Sequence, residues 1–303
     1  MSDLVFDRDF DPRHGEAVPL SPLVTRVTVN NPGPFTFHGT NTYLIGRDTL
    51  AIVDPGPVDD AHADALVRAV AGRPVSHVVV THTHADHSPL ARPLADRLGA
   101  ALVGCAPHRT ARPLAEGETN VLDASGDRDY RPDAELDDGA TISGDGWTLE
   151  TIATPGHTIN HLAFRLVEEN ALLAGDHVMA WSTSIVAPPD GQMRAYMDSL
   201  DRVHTMDFAT LWPGHGGPVS DPARFIPGLI AHRKGRETAA LEALKAGPAT
   251  VAQMVPRIYE GLPPMLHGAA ALSLFAHMED LAERGLIEAD GPPVIDAVWR
   301  LRG

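Results

Sequence analysis

The chain has 303 residues, 43% of them hydrophobic, enough for one large domain and a smaller one. It carries 40 Asp+Glu against 24 Lys+Arg, a formal charge of −16 that disfavours a polyanionic partner unless basic groups cluster locally. No run reaches the roughly 18–20 apolar residues that cross a bilayer, residues 1–7 show no signal-peptide pattern, and the single cysteine, Cys105, excludes an internal disulfide. A reducing compartment is expected, hence a cytoplasmic location with no membrane partner.

In chain order, residues 24–29, 43–45 and 49–53 read as an antiparallel meander. Asp59 or Asp60 would cap a helix over 61–71. The β-branched run Val78-Val79-Val80 predicts a buried strand, and Cys105 follows another as a small buried apolar residue. Residues 106–147 are largely polar and give no clear element. Alternation over 149–153 and short apolar runs over 171–174 and 210–212 predict three more strands. Between the last two, Met193, Tyr196, Met197, Leu200 and Val203 mark one face of a helix over 193–204. From Pro222 the pattern turns helical: 223–244, then 251–259 capped by Thr250, then 266–284 closed by Gly285. Segments 286–288 and 297–301 flank Asp290-Gly291-Pro292-Pro293 as a hairpin. Three helices and a hairpin resemble a winged helix, so the chain is divided into residues 1–221 and 222–303.

Chemistry concentrates in Thr81-His82-Thr83-His84-Ala85-Asp86-His87, directly after the strand at 78–80. Neutral imidazoles and a carboxylate packed this densely are the usual ligands of zinc and its neighbours. Adjacent side chains on one loop diverge, so further ligands must come from elsewhere. Thr154-Pro155-Gly156-His157, Gly175-Asp176-His177 and Pro213-Gly214-His215-Gly216 repeat the same pattern, each a tight turn just past a short apolar strand.

Taken together, His82-x-His84-x-Asp86-His87 with His157, Asp176 and His215 resembles the dinuclear ligand set of the metallo-β-lactamase-fold hydrolases. Gly39-Thr40-Asn41-Thr42-Tyr43-Leu44-Ile45-Gly46, Tyr196-Met197-Asp198-Ser199-Leu200 and His232-Arg233 are similar to segments of the lactamase-beta-2-like branch. The resemblance implies an α/β, four-layer αββα sandwich with a small C-terminal winged-helix-like domain. It implies that His82, His84 and His157 bind one divalent ion, that Asp86, His87 and His215 bind the other, and that Asp176 bridges them. Asp54, in Asp54-Pro55-Gly56, would hold a metal-bound histidine from behind. His161 and His177 are expected to be outer or core residues, since the ligand count is full. A bridging aspartate, and a lone cysteine away from the ligand positions, argue against antibiotic hydrolysis.

The expected activity is that of a dinuclear metal-dependent hydrolase. A bridging hydroxide, oriented by Asp86, would cleave an ester or thioester in a glyoxalase II-like or lactonase-like small substrate. Zinc is the first expectation for both ions; manganese and iron suit the same donors. Single-stranded RNA cleavage is the alternative, and Arg92, Arg109, Arg112, Arg233 and Arg236 are its candidate basic rim, although solvated surface arginines are the default reading. A non-catalytic winged-helix binding module with a relict metal site is the alternative of another class, and it predicts a degraded ligand set. Residues 222–303 carry nine basic and nine acidic residues, and Glu279, Asp280 and Glu283 accompany Arg284 on the third helix, so sequence-specific DNA is disfavoured. That module is expected to pack beside the metal site, narrow its entrance or support a homodimer.

Overall fold

The structure is a computed structural model that describes residues 4–303. Met1, Ser2 and Asp3 of the N-terminal stretch considered above lie outside the described residues. A seven-stranded sheet runs in chain order through β1 (Val18–Pro19), β2 (Val24–Thr28), β3 (Asn41–Ile45), β4 (Leu50–Val53), β5 (Val75–Val80), β6 (Ala101–Gly104) and β7 (Ala134–Glu135). The second sheet has five strands: β8 (Thr141–Gly144), β9 (Trp147–Ala153), β10 (Leu162–Leu166), β11 (Ala171–Gly175) and β12 (Thr210–Pro213), in spatial order β12-β11-β10-β9-β8. The opening meander pairs antiparallel as predicted, with Tyr43 opposite Arg26 on one side and Val53 on the other.

Period-two side-chain alternation decides the layering. Tyr43 and Ile45 of β3, Ala51 and Val53 of β4, Phe164 and Leu166 of β10, and Ala171 and Leu173 of β11 all point into one core between the sheets. The intervening Leu44, Leu50 and Ile52 face outward onto α1 (Asp60–Val70) and α2 (Ala91–Leu98). Ala163, Leu172 and Ala174 face the opposite way onto α3 (Met193–Thr205), whose Met193, Tyr196, Leu200 and Val203 form the predicted stripe. The result is helix, sheet, sheet, helix, with both sheets buried on both faces.

Beyond β12 the chain forms α4 (Pro222–Lys245), α5 (Val251–Ile258), α6 (His267–Glu283) and an antiparallel hairpin of β13 (Ile287–Ala289) and β14 (Trp299–Leu301). Thr250 and Gln253 exchange hydrogen bonds in a capping box at the start of α5. The element ends fall within a residue or two of expectation. α4 serves two cores: Ile226 and Leu229 pack with α3, while Ala240 and Leu244 join Leu274, Met278 and Trp299 in the C-terminal cluster. α6 is likewise shared, since Ala276 packs into the α3 cluster.

The polar stretch that gave no element wraps over the histidine loop. Ala85 N–H donates to Ser125 O at 2.7 Å and Asp127 N–H to Thr83 O at 2.7 Å. Arg112 ties this stretch to α6, pairing two-pronged with Glu118 at 2.6 and 2.7 Å and through Nε with Glu279 at 2.8 Å. A polar segment held by main-chain bonds and ion pairs carries no hydrophobic period, hence the silence of the sequence there. Truncating Leu274, fully buried in the C-terminal core, should cost about 2–5 kcal/mol. Urea unfolding of Leu274→Ala measures this, and an unchanged midpoint would contradict the packing described.

Candidate metal centre

Five strand ends converge on one rim of the sandwich. β4 ends at Asp54, β5 at the 81–87 loop, β9 just before Thr154, β11 at Gly175-Asp176 and β12 at Pro213-Gly214-His215. The glycines permit the close approach. A Cβ on Gly156 would lie 2.3 Å from Tyr196 Cα, and one on Gly214 would lie 2.6 Å from Asp176 Oδ1. The structure thus brings together all seven sequence-nominated residues. His82, His84, His157 and Asp176 form one group and Asp86, His87 and His215 another, each with its donor atoms within 4.8 Å of one another.

The hydrogen bonds behind the histidines fix which nitrogens face inward. His157 donates Nδ1–H to Ile185 O at 2.6 Å, and His215 donates Nδ1–H to Gly39 O at 3.2 Å. His87 donates Nδ1–H to Asp54 Oδ2 at 3.0 Å. His82 Nδ1 lies 3.0 Å from Thr81 Oγ1, whose own proton goes to Asp54 Oδ2 at 2.7 Å, so His82 is the donor. In each neutral ring Nε2 is therefore bare. His82 Nε2 and His157 Nε2 approach His84 Nδ1 at 3.1 and 2.9 Å, and that nitrogen can supply one proton at most. His87 Nε2 and His215 Nε2 meet at 3.3 Å. Asp86 Oδ2 is 3.2 Å from His215 Nε2, and Asp176 Oδ2 lies 3.4 Å from His215 Nε2 and 3.5 Å from His157 Nε2. Asp176 Oδ1 is buried without a hydrogen-bond donor. Around His84 three buried ring nitrogens share at most one proton, and around His87 and His215 two carboxylates draw in positive charge, so the donor set fits divalent metal.

Electrostatics agree. Burial and then the surrounding imidazoles drive His82 well below the usual histidine range, and burial followed by His157 brings His84 to about 3. At His87 and His215 burial acts in the same direction, but Asp86 and Asp176 outweigh it, holding His87 well above its ordinary value and His215 at about 9. Asp86 and Asp176 stay well below the carboxylate range despite burial, because His87 and His215 stand beside them. Fixed negative charge pulls positive charge into this side of the cluster.

Asp54 does not face the centre. Its carboxylate is consumed by Thr81 N–H at 2.8 Å, the Thr81 hydroxyl and His87. Several supporting groups escaped the sequence reading because they are main-chain atoms or threonines without a distinctive pattern. Thr40 Oγ1 donates to Asp86 Oδ2 at 3.3 Å. Asn41 Nδ2 donates to Gly216 O at 2.9 Å and Pro213 O at 3.1 Å, pinning the His215 turn to the start of β3. The Gly39-Thr40-Asn41 segment was legible as a signature but not as this clamp. His161 accepts Asp176 N–H at 3.1 Å, whereas His177 is buried against Tyr196 and neither ring nitrogen has a hydrogen-bond partner.

The arginine rim does not form. Arg233 is 3% exposed, stacks on Tyr196 at 5.2 Å and donates to Ser184 O, next to the carbonyl that holds His157. It is not a solvated surface residue. Arg112 is neutralised by Glu118 and Glu279, and Arg92 pairs with Asp133 at 2.6 Å. Above the centre opens a cleft of about 610 Å³ whose lining residues include no Lys or Arg. His84, Asp86, His157, Asp176 and His215 form its floor, and Gly268, Ala269 and Leu272 of α6 supply part of its wall.

Comparison with known proteins accounts for this arrangement. Residues 35–215 match the metallo-beta-lactamase superfamily and residues 250–296 the beta-lactamase associated winged helix domain. The chain is 30% identical over 276 residues to the beta-lactamase-like protein 2 homolog of Caenorhabditis elegans, covering 89% of this chain and 87% of that one. It is 33% identical over 248 residues to an atrochrysone carboxyl ACP thioesterase of Paecilomyces divaricatus, covering 79% and 72% of the two chains. A metallo-beta-lactamase family protein of Thermus thermophilus superposes with a TM-score of 0.74 at 27% identity, over 94% of this chain and 100% of that one. The chain belongs to the metallo-beta-lactamase superfamily and carries its winged-helix appendage. It is a metal-dependent hydrolase, and none of its described helices is long and apolar enough to cross a membrane.

Replacing Asp54 by Asn keeps the shape but removes the charge that orients His87. Asp54→Asn should weaken metal binding by about 10–100-fold, measured by competition with a chromophoric chelator. Unaltered affinity would contradict the supporting role.

Proposed function

We propose that this enzyme hydrolyses a carboxylic ester or thioester, with a thioester the first choice, and that the seven convergent residues hold two divalent ions. His82, His84 and His157 would hold one, Asp86, His87 and His215 the other, with Asp176 shared between them. Zinc is the first choice for both. When bound, such ions supply Lewis acidity toward a carbonyl oxygen and bring the pKa of water from about 15.7 toward about 7.

The observation that carries the choice of substrate is the absence of Lys and Arg from the lining of the cleft. RNA binding leans on Lys and Arg along the strand path, and the arginines nominated for that role are buried, paired or elsewhere. The thioesterase relative supports the same choice. Asp86 is partly exposed at the cleft floor and held as a carboxylate, so it is placed to accept a hydrogen bond from the attacking water and orient it. Water oxygen bonds to the acyl carbon, the carbon–sulfur bond breaks, and a carboxylic acid and a thiol result. Thr40 and His215 fix Asp86, while the Ile185 carbonyl fixes His157. A relict, non-catalytic site fits poorly with lone pairs so fully aligned.

We further propose division of the chain at residues 221 and 222, with α4 spanning both cores, and a cytoplasmic location, which the single buried cysteine suits.

Zinc- and manganese-loaded protein assayed in parallel on acyl thioesters, lactones and single-stranded RNA should turn over the thioester and leave RNA intact. Asp86→Asn should lower turnover about 10²–10⁴-fold, and His157→Ala at least about 100-fold with loss of bound metal. RNA cleavage that disappears in His157→Ala would overturn the proposal.

A further inference from the structure

The cleft is strongly two-sided. Its floor is the cluster of imidazoles and carboxylates, and its walls are apolar: Phe35 from the loop before β3, Leu122 from the segment over the histidine loop, Met179 and Ile185 from the loop after β11, Met265 from the short turn before α6 and Leu272 from α6. The apolar lining continues out to the mouth, where Phe35 is 50% and Met265 86% exposed. Large apolar side chains left open around a polar reaction centre mark a binding surface for an apolar ligand. Between Met265 and Leu272 the helix presents Gly268 and Ala269. Gly268 is exposed, and an added Cβ there would meet nothing within 4 Å, so this side of the cleft is open enough to take further bulk.

We propose that this space is an acyl channel: the substrate carries a long, apolar acyl chain that lies along the first turns of α6, with its carbonyl over the metal centre. This rests on the ester or thioester reading of the same site. It makes the winged-helix module a specificity element, since Gly268, Ala269 and Leu272 belong to it. The absence of Lys and Arg from the lining matches an uncharged chain and would not hold a polyanionic or acidic acyl group. A cleft of about 610 Å³ is in the usual range for a ligand of that bulk.

The channel can be tested with and without turnover. Dissociation constants of butanoate, octanoate and dodecanoate for the metal-loaded protein should fall with chain length, by up to about fourfold per buried methylene. The kcat/KM values of the corresponding acyl-pantetheine thioesters should follow the same order. Gly268→Phe places its Cβ in open space at the cleft wall and improves helix propensity, so it should fold and keep its metal, as circular dichroism and metal content check. It should weaken dodecanoate binding at least about tenfold relative to butanoate and shift the thioester preference to shorter chains. A flat dependence on chain length, or an unchanged chain-length profile in Gly268→Phe, overturns the channel even if thioesters are hydrolysed. Failure to hydrolyse any thioester would instead remove the reading on which it rests, and a flat or chain-dependent series of dissociation constants would still decide whether the channel exists.

Discussion

Bare imidazole nitrogens held face to face in a buried pocket repel one another, and much of this protein serves to hold them so. Four of the five rings are kept from turning by a hydrogen bond from the outer nitrogen: His157 to Ile185 O, His215 to Gly39 O, His87 to Asp54 and His82 to Thr81. The resulting arrangement is unfavourable by itself and becomes favourable when cations take up the lone pairs. The free energy of metal binding is thereby linked to the folded rim of the sandwich.

The sheets make that rim possible. Alternating strands buried on both faces leave their ends as the places where polar side chains can gather without crossing the core. Asp54, the 81–87 loop, His157, Asp176 and His215 all exploit one edge, although 161 positions separate the first from the last. Two clamps stiffen the meeting point. Asn41 ties the His215 turn to β3, and Arg233 on α4 holds the chain beside the carbonyl that orients His157. Through the second clamp α4 packs against the centre, and α6 walls its cleft.

The seven clustered residues were legible in the sequence because metal ligation demands rare residue types in tight turns after strands. Individual strands and the α3 stripe were legible because two-residue alternation and helical spacing report burial directly, whereas the four-layer arrangement came from the family resemblance. The path of residues 106–147 was not: its first part is ordered by main-chain bonds to the histidine loop and the Arg112 pairs with Glu118 and Glu279, and β7 and β8 that follow are short, largely exposed strands. Arg233 was misread for a related reason: on a helix, a buried arginine stacked on Tyr196 looks the same in sequence as a solvated one. The apolar cleft was also invisible, since Phe35, Leu122, Ile185 and Leu272 meet only in three dimensions.

Anomalous X-ray scattering from crystals of the zinc-loaded protein tests the central claim most directly. Two peaks per chain are predicted, one among His82, His84 and His157 and one among Asp86, His87 and His215, with Asp176 between them. A peak centred on Asp54, or none among these histidines, would contradict the account.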